Sequence, residues 1–161
     1  VLVGPGMGRE RVGTSKLAQV LASGIAAVVD ADGLMLLDPG MLHGREAPLL
    51  LTPHGGEMSR LLETFEISEE GKIAQAQALA RATGGVVVFK GPDTVIAAPD
   101  GRLVFAPSPT GWLSVAGSGD VLAGIAASRL AGHGDPFIAA CEAVWLHGEA
   151  ARRCGPAFTP E

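Results

Sequence analysis

VAGSGDVLAGIAASRLA (residues 115–131) is a glycine turn that leads into an apolar run of small residues. Gly117 and Gly119 allow a tight turn and a close approach of the backbone to a ligand. The apolar run predicts a helix, whose first amides and positive dipole end favour an anion. The stretch thus predicts an anion site in which Asp120 accepts a proton or acts through a metal ion. Alternatively, Ser118 or Asp120 is only the N-cap of this helix.

The composition is typical of one globular domain, and we expect a single domain over residues 1–161. Apolar residues make up 47% of the chain and charged residues 18%, which excludes disorder. A net charge of −5 without a basic cluster argues against nucleic-acid binding. No run of 18 apolar residues occurs, so we expect no membrane span and a cytoplasmic protein with reduced Cys141 and Cys154. The Cys and His spacing contains no metal-ligand motif, and His147 is predicted to be a core or surface residue.

Apolar strands alternate with glycine-bearing turns and helices along most of the chain. This order predicts a three-layer α/β/α fold with a mostly parallel sheet and a β-hairpin, over residues 94–107, at one edge. The turns that follow strands are GPGMG (4–8), DADG (30–33), TPHGG (52–56), KG (90–91) and GSGD (117–120). Because the carboxyl ends of parallel strands meet at one edge of a sheet, these turns should share one rim. Five converging turns predict a small-molecule site.

Three of these turns or their neighbours carry further polar side chains that could act in such a site. Asp30 and Asp32 follow a predicted strand and suit a hydroxyl, a metal or a ribose, or they are only a polar strand end. His54 lies between a strand and a helix beside two glycines, which favours a role in the site. Glu57 is interpreted as a first-turn acid that stabilises the helix dipole. Lys90 places a cation at the predicted rim, where it suits a phosphate or a nucleotide.

Five segments together resemble a known family. They are VGPGMGR (3–9), VVDADGL (28–34), LLTPHGGEMSRLL (50–62), FKGPDTVIA (89–97) and AGSGDVLAGIAA (116–127). In order and spacing they resemble the ADP-dependent NAD(P)H-hydrate dehydratases of the ribokinase-like superfamily. The resemblance implies repair of hydrated NADH or NADPH: ADP phosphorylates the ring hydroxyl, and elimination restores the dinucleotide with release of AMP and phosphate. It also implies that Mg²⁺ bridges the nucleotide oxygens.

The resemblance also implies roles for individual residues. Asp120 is similar to the base that activates the ring hydroxyl. Residues assigned to the ADP or AMP moiety are Lys90, Gly91, Pro92, Asp93, Thr94, Gly117 and Gly119. Residues assigned to the hydrated dinucleotide are Gly4, Gly6, Gly8, Asp32, His54 and Asp120. No residue is assigned as a metal ligand.

Two other functions stay open at this point. A small-molecule kinase of the same superfamily would consume ATP and release a stable phosphorylated product. A non-catalytic nucleotide-binding remnant would bind ADP or AMP without turnover. The chain begins directly on a predicted core strand, so we expect it to lack the N-terminal portion of the family, to expose a sheet edge and to form a homo-oligomer.

Overall fold

Residues 1–107 and 111–155 are described by the computed structural model of the chain. Within them, one six-stranded sheet has its strands in the same order as the sequence. The strands are β1 (Leu2–Val3), β2 (Ala27–Val29), β3 (Leu49–Leu51), β4 (Val86–Phe89), β5 (Asp93–Ala97) and β6 (Leu103–Pro107). The α-helices are α1 (Arg11–Ala22), α2 (Asp32–Leu36), α3 (Gly55–Thr64), α4 (Lys72–Thr83), α5 (Ser118–His133) and α6 (Pro136–Cys154).

Strand direction explains why distant turns meet at one rim. β1 to β4 pair in parallel, whereas β5 pairs antiparallel with both β4 and β6. The predicted, mostly parallel sheet with a hairpin at one edge is therefore confirmed. Since β6 runs in the same direction as β4, its carboxyl end reaches the rim where β1 to β4 also end. The chain then passes from this rim towards α5.

Helices cover both faces of the sheet, as the three-layer prediction requires. Successive strand residues point to opposite faces. One cluster of buried side chains, which includes Val29 and Leu51, packs against α1 to α4. The other, which includes Val28 and Leu50, packs against α5 and α6. Covering on both faces explains why β2, β3 and β4 are continuous apolar runs.

Two helices are not evident from local sequence patterns. α1 begins at Arg11 and includes Gly13, although glycine is a poor helix former. A Cβ at this position would overlap the Gly8 carbonyl, so tertiary packing requires the glycine. α2 was not predicted, because a helix of five residues is too short to show a 3.6-residue period. In the described part of the chain, no helix combines the length and the apolar character that a membrane span needs.

Candidate active site

A cavity of about 640 Å³ opens at the rim, between the loops after β3 and β4 and the amino end of α5. Its volume lies within the range of about 300–1,000 Å³ that is typical of small-molecule sites. The lining residues come from six segments of the chain: His54, Gly55, Lys90, Gly91, Pro92, Thr94, Ala106, Gly111, Leu113, Ser114, Ser118, Gly119, Leu122, Val144, His147 and Gly148. The lining combines an ammonium and several hydroxyl groups with aliphatic side chains such as Leu122 and Val144. Such a lining suits a ligand with both charged and apolar parts.

Lys90 is the main positive charge of this cavity. Its side chain is 17% exposed, and its Nζ donates to Asp30 Oδ1 at 2.9 Å. Glu57 Oε2 lies 3.9 Å from the same Nζ. Asp30 and Glu57 are both buried, at 1% and 8% exposure. The ion pairs therefore hold the ammonium in one position. Asp30, expected either to contact a hydroxyl, a metal or a ribose or to be only a polar strand end, is a buried partner of Lys90.

α5 begins beside this ammonium. Gly117, its N-cap, has a φ of +87°, a left-handed conformation that glycine adopts without strain. A Cβ on Gly119 would lie 3.3 Å from Lys90 Nζ, so the glycine lets the helix approach the cation closely. The Ser118 hydroxyl donates to the Leu113 carbonyl at 2.7 Å, and this contact fixes the turn before the helix. Asp120 follows in the first turn with its side chain exposed, next to the lining residue Gly119.

His54 has a structural role and also faces the cavity. Its Nδ1 accepts hydrogen bonds from the Gly56 amide at 3.0 Å and the Glu57 amide at 3.4 Å. In return, Glu57 Oε2 accepts from the His54 amide at 2.8 Å, which completes a capping box at the start of α3. Glu57 is thus a first-turn acid as expected, but it also bonds directly to the cap residue and lies close to Lys90.

The segment 90–94, named the nucleotide loop after the role that the resemblance implies for it, contributes Lys90, Gly91, Pro92 and Thr94 to the cavity. Thr94 Oγ1 donates to the Gly91 carbonyl at 3.2 Å. Asp93 does not line the cavity, because its carboxylate accepts from Lys72 Nζ at 2.8 Å. That hydrogen bond holds the pKa of the Asp93 carboxyl below its ordinary value. The loop is therefore bound on one side and exposed to the cavity on the other.

The GPGMG turn and Asp32 form a separate group at the same rim. The Gly8 amide and Arg9 Nε donate to Asp32, at 3.1 Å and 2.7 Å. The Arg9 guanidinium and, next, the Gly8 amide lower the pKa of the Asp32 carboxyl. At Gly4, φ is +129° and a Cβ would overlap the Asp30 carbonyl, so this glycine is needed for packing. Gly4, Gly6, Gly8 and Asp32 do not line the cavity, and their substrate role stays a prediction.

His147 is a titratable lining residue that sequence reasoning missed, since it was expected to be a core or surface residue. It lies on α6 and is half-buried in the cavity wall. Burial lowers its pKa, a hydrogen bond with the Ser118 backbone opposes that shift, and the positive charge of Lys90 lowers the pKa further. The imidazole therefore lies against the turn before α5, in surroundings that favour its neutral form. A histidine among aliphatic residues on a helix gives no signal of this placement, since only the packing of α6 against α5 creates it.

Comparisons with known proteins agree with this architecture. The family model of the NAD(P)H-hydrate dehydratases matches residues 1–159. A bifunctional NAD(P)H-hydrate repair enzyme Nnr from Moorella thermoacetica is 43% identical over 95% of this chain. An ADP-dependent (S)-NAD(P)H-hydrate dehydratase from Neisseria meningitidis is 37% identical over 93% of it. This chain spans 30% of the first protein and 53% of the second.

A solved structure has the same fold. It is the ADP/ATP-dependent NAD(P)H-hydrate dehydratase from Bacillus subtilis, co-crystallised with ATP and Mg²⁺. It superimposes with a TM-score of 0.82 at 30% identity, over 99% of this chain and 57% of the other. The family match covers nearly the whole sequence, and the fold agrees over the same length. The chain belongs to the NAD(P)H-hydrate dehydratase family.

Proposed function

We propose that the protein acts in nicotinamide nucleotide repair, as an ADP-dependent NAD(P)H-hydrate dehydratase, a carbon–oxygen lyase. The hydroxyl oxygen of the hydrated ring attacks the β-phosphorus of ADP, and the bond from that phosphorus to the α,β-bridging oxygen breaks. AMP leaves, and the ring carries a phosphate ester. Loss of phosphate and of a ring proton then restores the double bond of NADH or NADPH.

One observation carries this proposal: the Lys90 ammonium is fixed beside Gly119 at the amino end of α5, in the wall of a cavity of ligand size. Phosphoryl transfer depends mainly on positioning and on neutralising charge on the transferring group. The α5 amides and Lys90 would together stabilise the phosphates of ADP. Because Asp30 holds Lys90 in advance, little reorganisation is needed when the nucleotide binds.

Asp120 is our candidate for the base that accepts the hydroxyl proton. It lies one residue beyond Gly119, so a hydroxyl that approaches a phosphate at the α5 amino end would come close to this carboxylate. Its side chain is exposed rather than bound into the core, as a group that must meet a substrate requires. His54, which lines the cavity, is our candidate contact for the hydrated dinucleotide.

Mg²⁺ would enter this site mainly with the nucleotide. Among residues 1–107 and 111–155, no three His, Cys, Asp or Glu side chains are grouped as a metal site. Mg²⁺ is usually held by substrate phosphates, water and one or two carboxylates. Bound to the nucleotide, the ion would neutralise charge on the phosphates. Homo-oligomerisation and a single domain over 1–161 are further proposals.

The test is to incubate the protein with hydrated NADH and Mg²⁺, with ADP or ATP, and to follow recovery of dihydronicotinamide absorbance and release of AMP. We expect turnover that falls about 10²- to 10⁴-fold in Asp120→Asn, with ADP affinity nearly unchanged. Glu69→Gln, which removes an exposed acid far along the chain from these turns, is the matched control. A stable phosphorylated product, or ADP binding without turnover, would contradict the dehydratase assignment.

A further inference from the structure

Lys72 reaches the nucleotide loop from outside the cavity. It is the first residue of α4, and its side chain is 22% exposed. Its Nζ lies 4.8 Å from the centre of the Phe89 ring and 2.8 Å from Asp93 Oδ1. The same Nζ lies 3.5 Å from the Lys90 carbonyl oxygen, to which it donates. One ammonium therefore contacts both ends of the turn that connects β4 to β5.

Strand alternation separates Lys72 from the ligand side of this loop. Along β5, Val95 packs in the cluster that faces α1 to α4, and Ile96 packs in the cluster that faces α5 and α6. Asp93 shares the side of Val95, whereas Thr94 shares the side of Ile96 and lines the cavity. Lys72 thus holds the loop from the face of the sheet opposite to the cavity.

Gly91 makes room for this arrangement. A Cβ on Gly91 would lie only 2.5 Å from Lys72 Nζ, so any larger residue there would displace the ammonium. The position of Lys72 is also locally unfavourable, because a cation lies at the positive end of a helix dipole. Asp93 offsets that cost. A lysine that is unfavourable at its position in the helix but contacts a distant loop is best explained by its contact with that loop.

We propose that Lys72 is a positioning residue for the nucleotide loop, which it holds through Asp93 and the Lys90 carbonyl so that Gly91, Pro92 and Thr94 face ADP. This inference rests on the proposed function, in which the cavity binds a nucleotide. Lys90 is then fixed twice, by Asp30 at its side chain and by Lys72 at its backbone. Lys72 itself contacts no ligand.

The experiment is a double-mutant cycle read by calorimetric titration with ADP. Lys72→Met keeps the stem over Phe89 and removes the charge, and Asp93→Asn removes its partner. Each single change should weaken ADP binding roughly two- to fivefold, since the pair is partly exposed, and the double variant should be no weaker than either single variant. Lys72→Arg should retain most of the affinity, and Lys16→Met, an exposed residue of α1, should change nothing.

Two further measurements separate positioning from general stability. KM for ADP should rise while kcat and KM for the hydrated dinucleotide stay nearly constant, and amide exchange of residues 91–94 should quicken in unliganded Lys72→Met. Additive losses, or tighter binding in Asp93→Asn, would show that Lys72 touches the nucleotide directly and would overturn the proposal. Unchanged affinity and unchanged exchange in Lys72→Met would also overturn it. Absence of ADP binding by the unaltered protein would instead contradict the proposed function.

Discussion

Replacement of Lys90 by methionine tests whether its buried ion pair is both a structural and a binding element. The change keeps the length of the side chain but removes the ammonium that lies 2.9 Å from Asp30 Oδ1. Asp30, with a side chain only 2% exposed, would then be a buried carboxylate without its cation. Glu57 Oε2, 3.9 Å from the lost ammonium, would add a second negative charge to the same region.

The expected loss of stability is about 3 kcal/mol. Removal of one partner from a buried pair costs about 3–5 kcal/mol, and the lower end applies because Lys90 is 17% exposed. With a urea dependence of about 2 kcal/mol per M, the midpoint of unfolding should fall by about 1.5 M. The double variant Asp30→Asn with Lys90→Met removes both charges and should recover at least half of this loss.

Urea titration followed by circular dichroism measures stability, and ADP titration of the same variants measures binding. We expect the double variant to regain stability but not ADP affinity, since no cation then lies at the amino end of α5. A loss below about 1 kcal/mol in Lys90→Met, or a double variant no more stable than that single variant, would refute the reasoning that the pair is a buried unit. Full ADP affinity in the double variant would show that Lys90 acts only in the fold.

Three further predictions concern the cap, the cavity wall and the rim. His54→Ala should cost about 1 kcal/mol of unfolding free energy through loss of the α3 cap, whereas His54→Asn should keep it; both should raise KM for the hydrated dinucleotide. Burial lowers the pKa of His147 from its ordinary value of 6.5, so as the pH falls the imidazole is protonated in the unfolded chain before it is protonated in the folded protein. The free energy of unfolding should therefore decrease below about pH 6.5. His147→Gln should flatten that decline in urea titrations at several pH values. Gly4→Ala should cost about 3 kcal/mol or more, because its Cβ would overlap the Asp30 carbonyl at a φ of +129°; a normal melting temperature would contradict this.

Local patterns were sufficient for most of the architecture. Continuous apolar runs such as Val86–Val88 are strands covered on both faces, and a glycine turn after each of the parallel strands β1 to β4 marks the rim. The hairpin around Pro99–Gly101 was equally clear, because two short strands flank a turn sequence. α2 was missed for the opposite reason: five residues between a strand and a turn carry no period to detect.

The candidate site was predictable in part. Lys90, the nucleotide loop and the start of α5 meet as the sequence predicted, because they all follow strands that end at one rim. Asp30 and Asp32 could not be told apart in sequence, although one is buried against Lys90 and the other binds Arg9. The two aspartates are only two positions apart at the end of β2, yet one is buried and the other faces Arg9. No sequence signature marks the turn that gives them these different environments.

The sequence by itself determined the layers and the direction of four strands, because strand periodicity and glycine turns are local properties of the chain. The order and spacing of its five motifs indicated the family by resemblance. Only the tertiary structure decided which groups share the cavity. The GSGD turn lies at the cavity because β6 ends at the rim and α5 begins beside Lys90. Gly119 leaves space for the Lys90 ammonium. Helix packing places His147 in the cavity wall and, on the opposite face of the sheet, places Lys72 against the nucleotide loop outside the cavity. Such contacts join residues far apart along the chain, and no local pattern encodes them.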